Sequence, residues 1–180
     1  MKENKFIKDH VQFGTKEVFE WDSLTISSYF KEKYRKNESE REIVSAYMEA
    51  AKSIYIKFHQ QTNPTPGLKV MRTNQMCIPF LYMCRHTIEL SIKYKLNLNN
   101  IEYDKVHKLK DLWRTLNDNF KIENEDYNEL IEALDIIDND GCKLRYAVDK
   151  KNNEYNSRPL FIKADSILAT TKEIYESLIK

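Results

Sequence analysis

The chain has 180 residues, a formal net charge of +1 and 41% hydrophobic residues. This length fits one domain whose core is large enough to fold without disulfides or a structural metal, and the even charge balance excludes a global field that would draw the chain onto nucleic acid or an anionic membrane. Only three glycines are present and no Gly-rich phosphate-binding string exists, which disfavours Rossmann and P-loop nucleotide sites.

Cysteine and histidine spacing argues against metal and disulfide chemistry. The cysteines are Cys77, Cys84 and Cys142, an odd number without Cys-x-x-Cys spacing, and no two histidines have the spacing of metal ligands. Charges within residues 1–6 leave no apolar region for a signal peptide, and no segment approaches about 20 apolar residues. We therefore expect a cytoplasmic protein that binds no metal, no other cofactor and no membrane.

In chain order, the sequence first predicts an arm and two helices. Residues 1–20 lack a sustained helical period and are expected to form an arm or a short strand. Asp22 is predicted to cap a helix that ends near Lys36. The capping-box string at 39–42 then predicts the start of a long helix, whose apolar residues keep the i, i+3, i+4 rhythm to about Gln61.

The next helix is predicted from Gln75 to Leu96, with Pro79 in its first turn or at a kink. Arg85, Glu89 and Lys93 are spaced by four residues, so they form one polar column on this helix. The column lies beside the predicted inner stripe, which consists of Ile78, Leu81, Tyr82, Ile88, Ile92 and Leu96.

Three further segments complete the predicted architecture. A helix at 107–117 is followed by one that begins at Asn124 and stops before Gly141, which is expected in the left-handed conformation. Residues 142–163 are irregular and polar, and Asp165 is predicted to cap the last helix. No repeat or linker interrupts the chain, so we expect one all-α domain, a bundle of five or six helices.

The polar column is the first candidate site. A partly buried Arg–Glu pair must offset a desolvation cost of several kcal/mol per ion, which makes Arg85 and Glu89 a position-specific feature. Either they form a structural network between helices, or they take part directly in binding or catalysis together with Lys93. His107 can turn inward and donate an N–H to Glu89. For His107 and for His86 two roles remain open: a structural role, as a capping or core group, and a role as an acid–base group.

A second candidate site follows the Gly141 turn. Arg145 and Tyr146 precede Asp149, Lys150 and Lys151, so that an aromatic ring is flanked by cations. Such a group can hold phosphate and stack a base. The competing interpretation is a solvated loop.

The strings at 81–93, 107–113 and 144–149 form an ordered pattern, R-H-x-x-E-L-x-x-K, H-x-L and L-R-Y. In this pattern the chain resembles the HEPN superfamily of prokaryotic helical domains, with a HEPN-like core at about 39–180. The resemblance implies a compact helical bundle, often homodimeric, from toxin–antitoxin, abortive-infection or other anti-phage systems. Many members are metal-independent ribonucleases, so the resemblance implies RNA as a binding partner. It also implies a second copy of the chain or a partner protein.

One motif of the family is missing. Its nuclease signature is an Arg followed four to six residues later by His, and none of the four histidines here has an arginine at that distance. After Arg145 the corresponding residues are Lys150, Lys151 and Asn152. Lysine stabilises phosphate charge but is a poor base at pH 7 unless it is strongly desolvated.

Two hypotheses follow from the sequence. The first is an RNA-interacting HEPN-like protein with Arg85, Glu89, His107 and Arg145 as its polar centre; if it cleaves RNA, His86 or His107 is the acid–base group and Arg145 or Arg85 stabilises the phosphate. The second is a non-catalytic structural or protein-interaction module with an internal Arg–Glu–His brace.

Overall fold

A computed structural model of the protein describes residues 36–61, 76–104, 107–146 and 162–179. Within these ranges the chain forms five α-helices and no strand, which confirms the predicted all-α fold. The helices are α1 (Lys36–Gln61), α2 (Cys77–Leu98), α3 (Leu109–Phe120), α4 (Glu125–Ile137) and α5 (Ala164–Ile179). The predicted arm at 1–20 and the predicted first helix from Asp22 lie outside the described residues.

Helix α2 is the centre of the bundle. It packs against α1, α3 and α5, while α4 packs against α3 and α5. Because α2 has neighbours on several sides, it buries residues around much of its circumference, as expected for a helix inside a core. Helix α3 instead buries a single stripe. The main cluster of the core includes Leu81, Cys84, Ile88, Ile92, Leu96, Leu109, Leu112, Leu116, Ile131, Leu134, Ile174 and Leu178.

Several helix boundaries differ from the predicted ones. Helix α1 begins at Lys36, so the capping box predicted at 39–42 is wrong; the helix extends one turn further, and Glu38 in its first turn suits the positive end of the helix dipole. Helix α5 begins at Ala164, which places Asp165 in the first turn rather than at the cap. There its Oδ1 accepts a hydrogen bond from the Tyr55 hydroxyl at 2.8 Å.

The predicted start of α4 is confirmed, whereas its predicted end is wrong. Asn124 caps α4, because its side chain accepts a hydrogen bond from the backbone N–H of Tyr127 at 3.2 Å. Helix α4 ends at Ile137 rather than at 139–141, although Gly141 has the predicted left-handed conformation, with a φ of +73°, which glycine adopts at little cost. The prediction for Ile78 is wrong: its side chain is 56% exposed, since the first turn of α2 buries Phe80 instead, with the Phe80 ring 6.2 Å from that of Tyr55.

Candidate functional site

Two ionised side chains of α2 are buried in the core. Arg85 and Glu89 are each only 1% exposed, and they lie one helical turn apart, so the i, i+4 spacing brings them face to face. Arg85 NH1 donates to Glu89 Oε2 at 2.9 Å. Such a pair is stable in a core only where further hydrogen bonds satisfy its remaining donors and acceptors.

Arg85 finds these further bonds on two other segments of the chain. Its Nε donates to the main-chain carbonyl of Asp138 at 2.7 Å, just after α4. Its NH2 donates to the main-chain carbonyl of His107, just before α3. All three nitrogens of the guanidinium are therefore bonded inside the protein, and Arg85 ties α2 to the end of α4 and to the approach to α3.

Asp138 and Gly141 complete the surroundings of Arg85, and sequence reasoning missed both roles. Asp138 is fully buried, and its Oδ2 lies 3.7 Å from Arg85 Nε, while its Oδ1 accepts the backbone N–H of Lys143 at 2.9 Å. A Cβ at Gly141 would lie 3.1 Å from Arg85 NH1. The string Asp-Asn-Asp-Gly at 138–141 is typical of a solvated turn, so it gave no signal that its first residue is buried.

Glu89 holds two cationic or ionisable groups on its second oxygen. Its Oε1 accepts Lys93 Nζ at 2.7 Å and lies 2.8 Å from His107 Nδ1. Burial alone would raise the pKa of Glu89, but the hydrogen bonds from Lys93 and His107 and the charge of Arg85 outweigh it, so that this pKa lies below its usual value. The carboxyl group is therefore ionised at neutral pH.

His107 is held at one ring nitrogen and open elsewhere. Its side chain is 59% exposed, although the carboxylate that contacts Nδ1 is buried. An ionised carboxylate only accepts hydrogen bonds. The Nδ1 atom must therefore carry the proton, and in the neutral ring Nε2 is the atom with the free lone pair.

His86 belongs to a neighbouring aromatic group. Its ring stacks on Tyr82 at 5.4 Å and meets the edge of Tyr47 at 4.5 Å. Burial lowers the pKa of His86, while the charge of Glu89 opposes this effect. The ring is thus held in its neutral form at pH 7.

Arg145 lies on the other part of this aromatic group. Its guanidinium carbon is 5.9 Å from the Tyr82 ring centre and 5.3 Å from that of Tyr146, and its Nε donates to the main-chain carbonyl of Gly141. Burial raises the pKa of the Tyr82 hydroxyl, and the charge of Arg145 opposes the rise.

The predicted site residues therefore fall into three sets. Arg85, Glu89, Lys93 and His107 form one connected network. His86, Arg145 and Tyr146 belong to the aromatic group beside it, and Asp149, Lys150 and Lys151 lie outside the described residues. The suggestion that Arg85 stabilises an RNA phosphate does not fit, because its nitrogens are buried and already bonded.

A family model described as the HEPN domain matches residues 79–180, more than half of the chain. The chain belongs to the HEPN family. The HEPN match begins in the first turn of α2 and includes Arg85, Glu89, His107 and Arg145. No curated protein and no solved structure matches the chain.

The described residues contain neither a membrane-spanning helix nor a cluster of metal-binding side chains. None of the helices α1 to α5 combines the length and the hydropathy that crossing a membrane requires. No three His, Cys, Asp or Glu side chains within the described ranges are grouped so that they could hold a metal ion.

Proposed function

We propose that this HEPN chain acts on RNA in a prokaryotic defence or toxin–antitoxin type system, and that it cleaves RNA without a metal, with His107 as the acid–base group. One observation carries the proposal: a single buried oxygen, Glu89 Oε1, holds both the exposed imidazole of His107 and the ammonium of Lys93. A proton acceptor and a cation are thereby fixed next to each other.

The chemistry needs these two kinds of group. His107 Nε2 takes the proton from a ribose 2′-hydroxyl, and the 2′-oxygen forms a bond to the adjacent phosphorus while the bond from phosphorus to the 5′-oxygen breaks. The proton on His107 then passes to the departing 5′-oxygen. Lys93 supplies positive charge where negative charge develops on the phosphate. The products are a 2′,3′-cyclic phosphate and a 5′-hydroxyl.

In this proposal Glu89 and Arg85 are positioning residues. Glu89 fixes the tautomer and orientation of the His107 ring, and Arg85 holds both Glu89 and the main chain of His107. The arrangement departs from the family's Arg–His nuclease signature, since the histidine lies just before α3 and its partner is a carboxylate of α2.

The test is cleavage of a single-stranded RNA in the presence of EDTA, with detection of 2′,3′-cyclic phosphate ends. His107→Ala should lower the rate about 10²- to 10⁴-fold, the usual contribution of an acid–base group, and Lys93→Met should lower it as well. Lys172→Met, at an exposed lysine of α5, is the matched control and should cleave normally. Equal cleavage by His107→Ala and the unchanged protein, or cleavage of an all-deoxy strand, would contradict the proposal.

A second function is favoured by the bonding of Arg85. Since every nitrogen of its guanidinium bonds within the protein, the network also fits a brace inside a module that pairs with itself or with another protein. Glu89→Ala would then lower the melting temperature by many degrees while RNA binding stays undetectable at low salt. RNA binding that weakens steeply with added salt favours the first function.

A further inference from the structure

The guanidinium of Arg145 lies close to two tyrosine rings. Its carbon lies 5.9 Å from the centre of the Tyr82 ring and 5.3 Å from that of Tyr146. The carbonyl of Gly141 accepts from its Nε, and its NH2 lies 3.8 Å from Cys142 Sγ. These contacts restrict the motion of the guanidinium, which reduces the entropy that binding a ligand would cost.

Among the described residues, no acid neutralises the charge of Arg145. Within ranges 36–61, 76–104, 107–146 and 162–179, no carboxylate forms an ion pair with it, and the residue is exposed. Its NH1 group has no hydrogen-bond acceptor among these residues. A guanidinium fork that is unpaired among these residues suits a phosphate, which accepts two parallel N–H bonds.

Tyr146 adds an aromatic surface beside this fork. Its side chain is 56% exposed, although an aromatic ring of this size is usually largely buried. The unpaired bases of single-stranded nucleic acid offer faces that can stack on such a ring, whereas the bases of a duplex are stacked on each other.

We propose that Arg145 and Tyr146 bind one unpaired nucleotide of single-stranded RNA, with the phosphate on the guanidinium and the base on the Tyr146 ring. This inference rests on the proposed function and names its substrate class. Tyr82 connects the two places, because it contacts Arg145 and lies on α2 seven residues before Glu89, about 10 Å along the helix axis. A short RNA strand can therefore reach from Tyr146 to His107.

The test measures the affinity of the full chain for a fluorescent single-stranded RNA and for an RNA hairpin without unpaired ends, by anisotropy. The single strand should bind more tightly than the hairpin. Tyr146→Ala should weaken binding of the single strand about tenfold, whereas Tyr146→Phe, which keeps the ring, should bind normally. Arg145→Gln should weaken binding too, and Arg145→Lys should restore only part of it because the fork is lost.

Arg114→Gln, at an exposed arginine of α3, is the matched control and should leave binding unchanged. Equal affinity for the hairpin, normal binding by Tyr146→Ala, or displacement of the strand by an equimolar free nucleoside monophosphate would overturn the inference. The last result would assign the same chemistry to a small nucleotide.

The two proposals can fail separately. If the unchanged protein cleaves no RNA but binds the single strand through Tyr146, the nucleotide site stands and the His107 mechanism falls. If it cleaves RNA in EDTA and Tyr146→Ala binds normally, the mechanism stands and the nucleotide site is overturned.

Discussion

The two arginines that contact Gly141 have opposite surroundings. Arg85 packs against this glycine from inside the core, with three main-chain or carboxylate acceptors on its three nitrogens. Arg145 bonds the carbonyl of the same glycine from the outside, and its other close partners are aromatic rings and a sulfur atom. One turn of the chain thus separates a fully bonded guanidinium from one that has donors without acceptors among the described residues.

The difference shows how position decides what a charged residue does. A buried arginine that lost an acceptor would leave an uncompensated charge in the core, so Arg85 is confined to fixing geometry. An exposed arginine loses little by changing partners, because water competes for its donors. The energetic role and the binding role are therefore divided between two residues of the same type.

The largest expected effect comes from removing the buried arginine. Arg85→Ala leaves Glu89 and Asp138 in the core without their shared cation, so it should lower the free energy of unfolding by about 3–5 kcal/mol. Arg145→Ala, the matched variant at the surface, should change it by less than about 1 kcal/mol. Urea denaturation measures both values. Similar losses for the two variants would break the comparison.

The turn between the arginines should be the next most sensitive position. Gly141→Ala would place a residue with a side chain at a φ of +73° and a Cβ 3.1 Å from Arg85 NH1. The left-handed conformation alone costs about 1–2 kcal/mol. Asn139→Ala, at an exposed position of the same turn, is the control for urea denaturation and should lose less. A Gly141→Ala protein as stable as the control would show that the turn has room for a side chain.

Lowering the pH should reduce the stability of the folded protein in two steps, one for His86 and one for Glu89. The pKa values of His86 and Glu89 are both lowered in the folded protein, so the unfolded chain binds more protons and stability falls as the pH falls. The His86 contribution is lost below its usual value of 6.5, and the Glu89 contribution below 4.5.

Unfolding free energies at pH 7.5, 5.5 and 3.5 measure these steps. His86→Phe should flatten the first interval, from pH 7.5 to 5.5, and leave the second. Glu89→Gln should reduce stability at pH 7.5 and flatten the interval from pH 5.5 to 3.5. A His86→Phe protein with the same slope between pH 7.5 and 5.5 as the unchanged chain would contradict the assignment.

The smallest expected effect concerns the reactivity of a buried neutral group on α2, the thiol of Cys84. Burial raises the pKa of the Cys84 thiol to about 12. Since the thiolate is the reactive form, Cys84 should not react with a thiol reagent at pH 8 in the folded protein. Cys84→Ala should therefore give the same number of reactive thiols as the unchanged chain. One thiol fewer would show that Cys84 is accessible.

Local patterns predicted most of the helical architecture, and they failed where the outcome depends on distant segments. The stripe of α3 and the Asn124 cap are set by residues within one or two turns, so the sequence shows them. Asp138 and Arg85 are 53 positions apart, and nothing in a turn rich in Asp and Asn indicates which carboxylate is buried. The prediction that Ile78 is buried was wrong because helical periodicity does not show which turn of a helix extends past the helices that pack against it.

The candidate site was predicted in part for the same reason. The column Arg85, Glu89 and Lys93 follows from helical spacing alone. The contact of Glu89 with His107 was predicted because His107 lies at a predicted helix start and can turn inward. The position of Arg145 close to Tyr82 and Tyr146 depends on how the Gly141 turn packs on α2. No local pattern encodes that packing, so it required the structure.

The state of the His107 ring tests the central claim most directly. A long-range proton–nitrogen NMR spectrum of the labelled protein, with His107 identified from the His107→Gln variant, reports which ring nitrogen carries the proton in the neutral form. Because ionised Glu89 contacts Nδ1, we predict a protonated Nδ1 and an unprotonated Nε2. A neutral ring protonated at Nε2 would show that Glu89 does not hold His107 and would contradict the account.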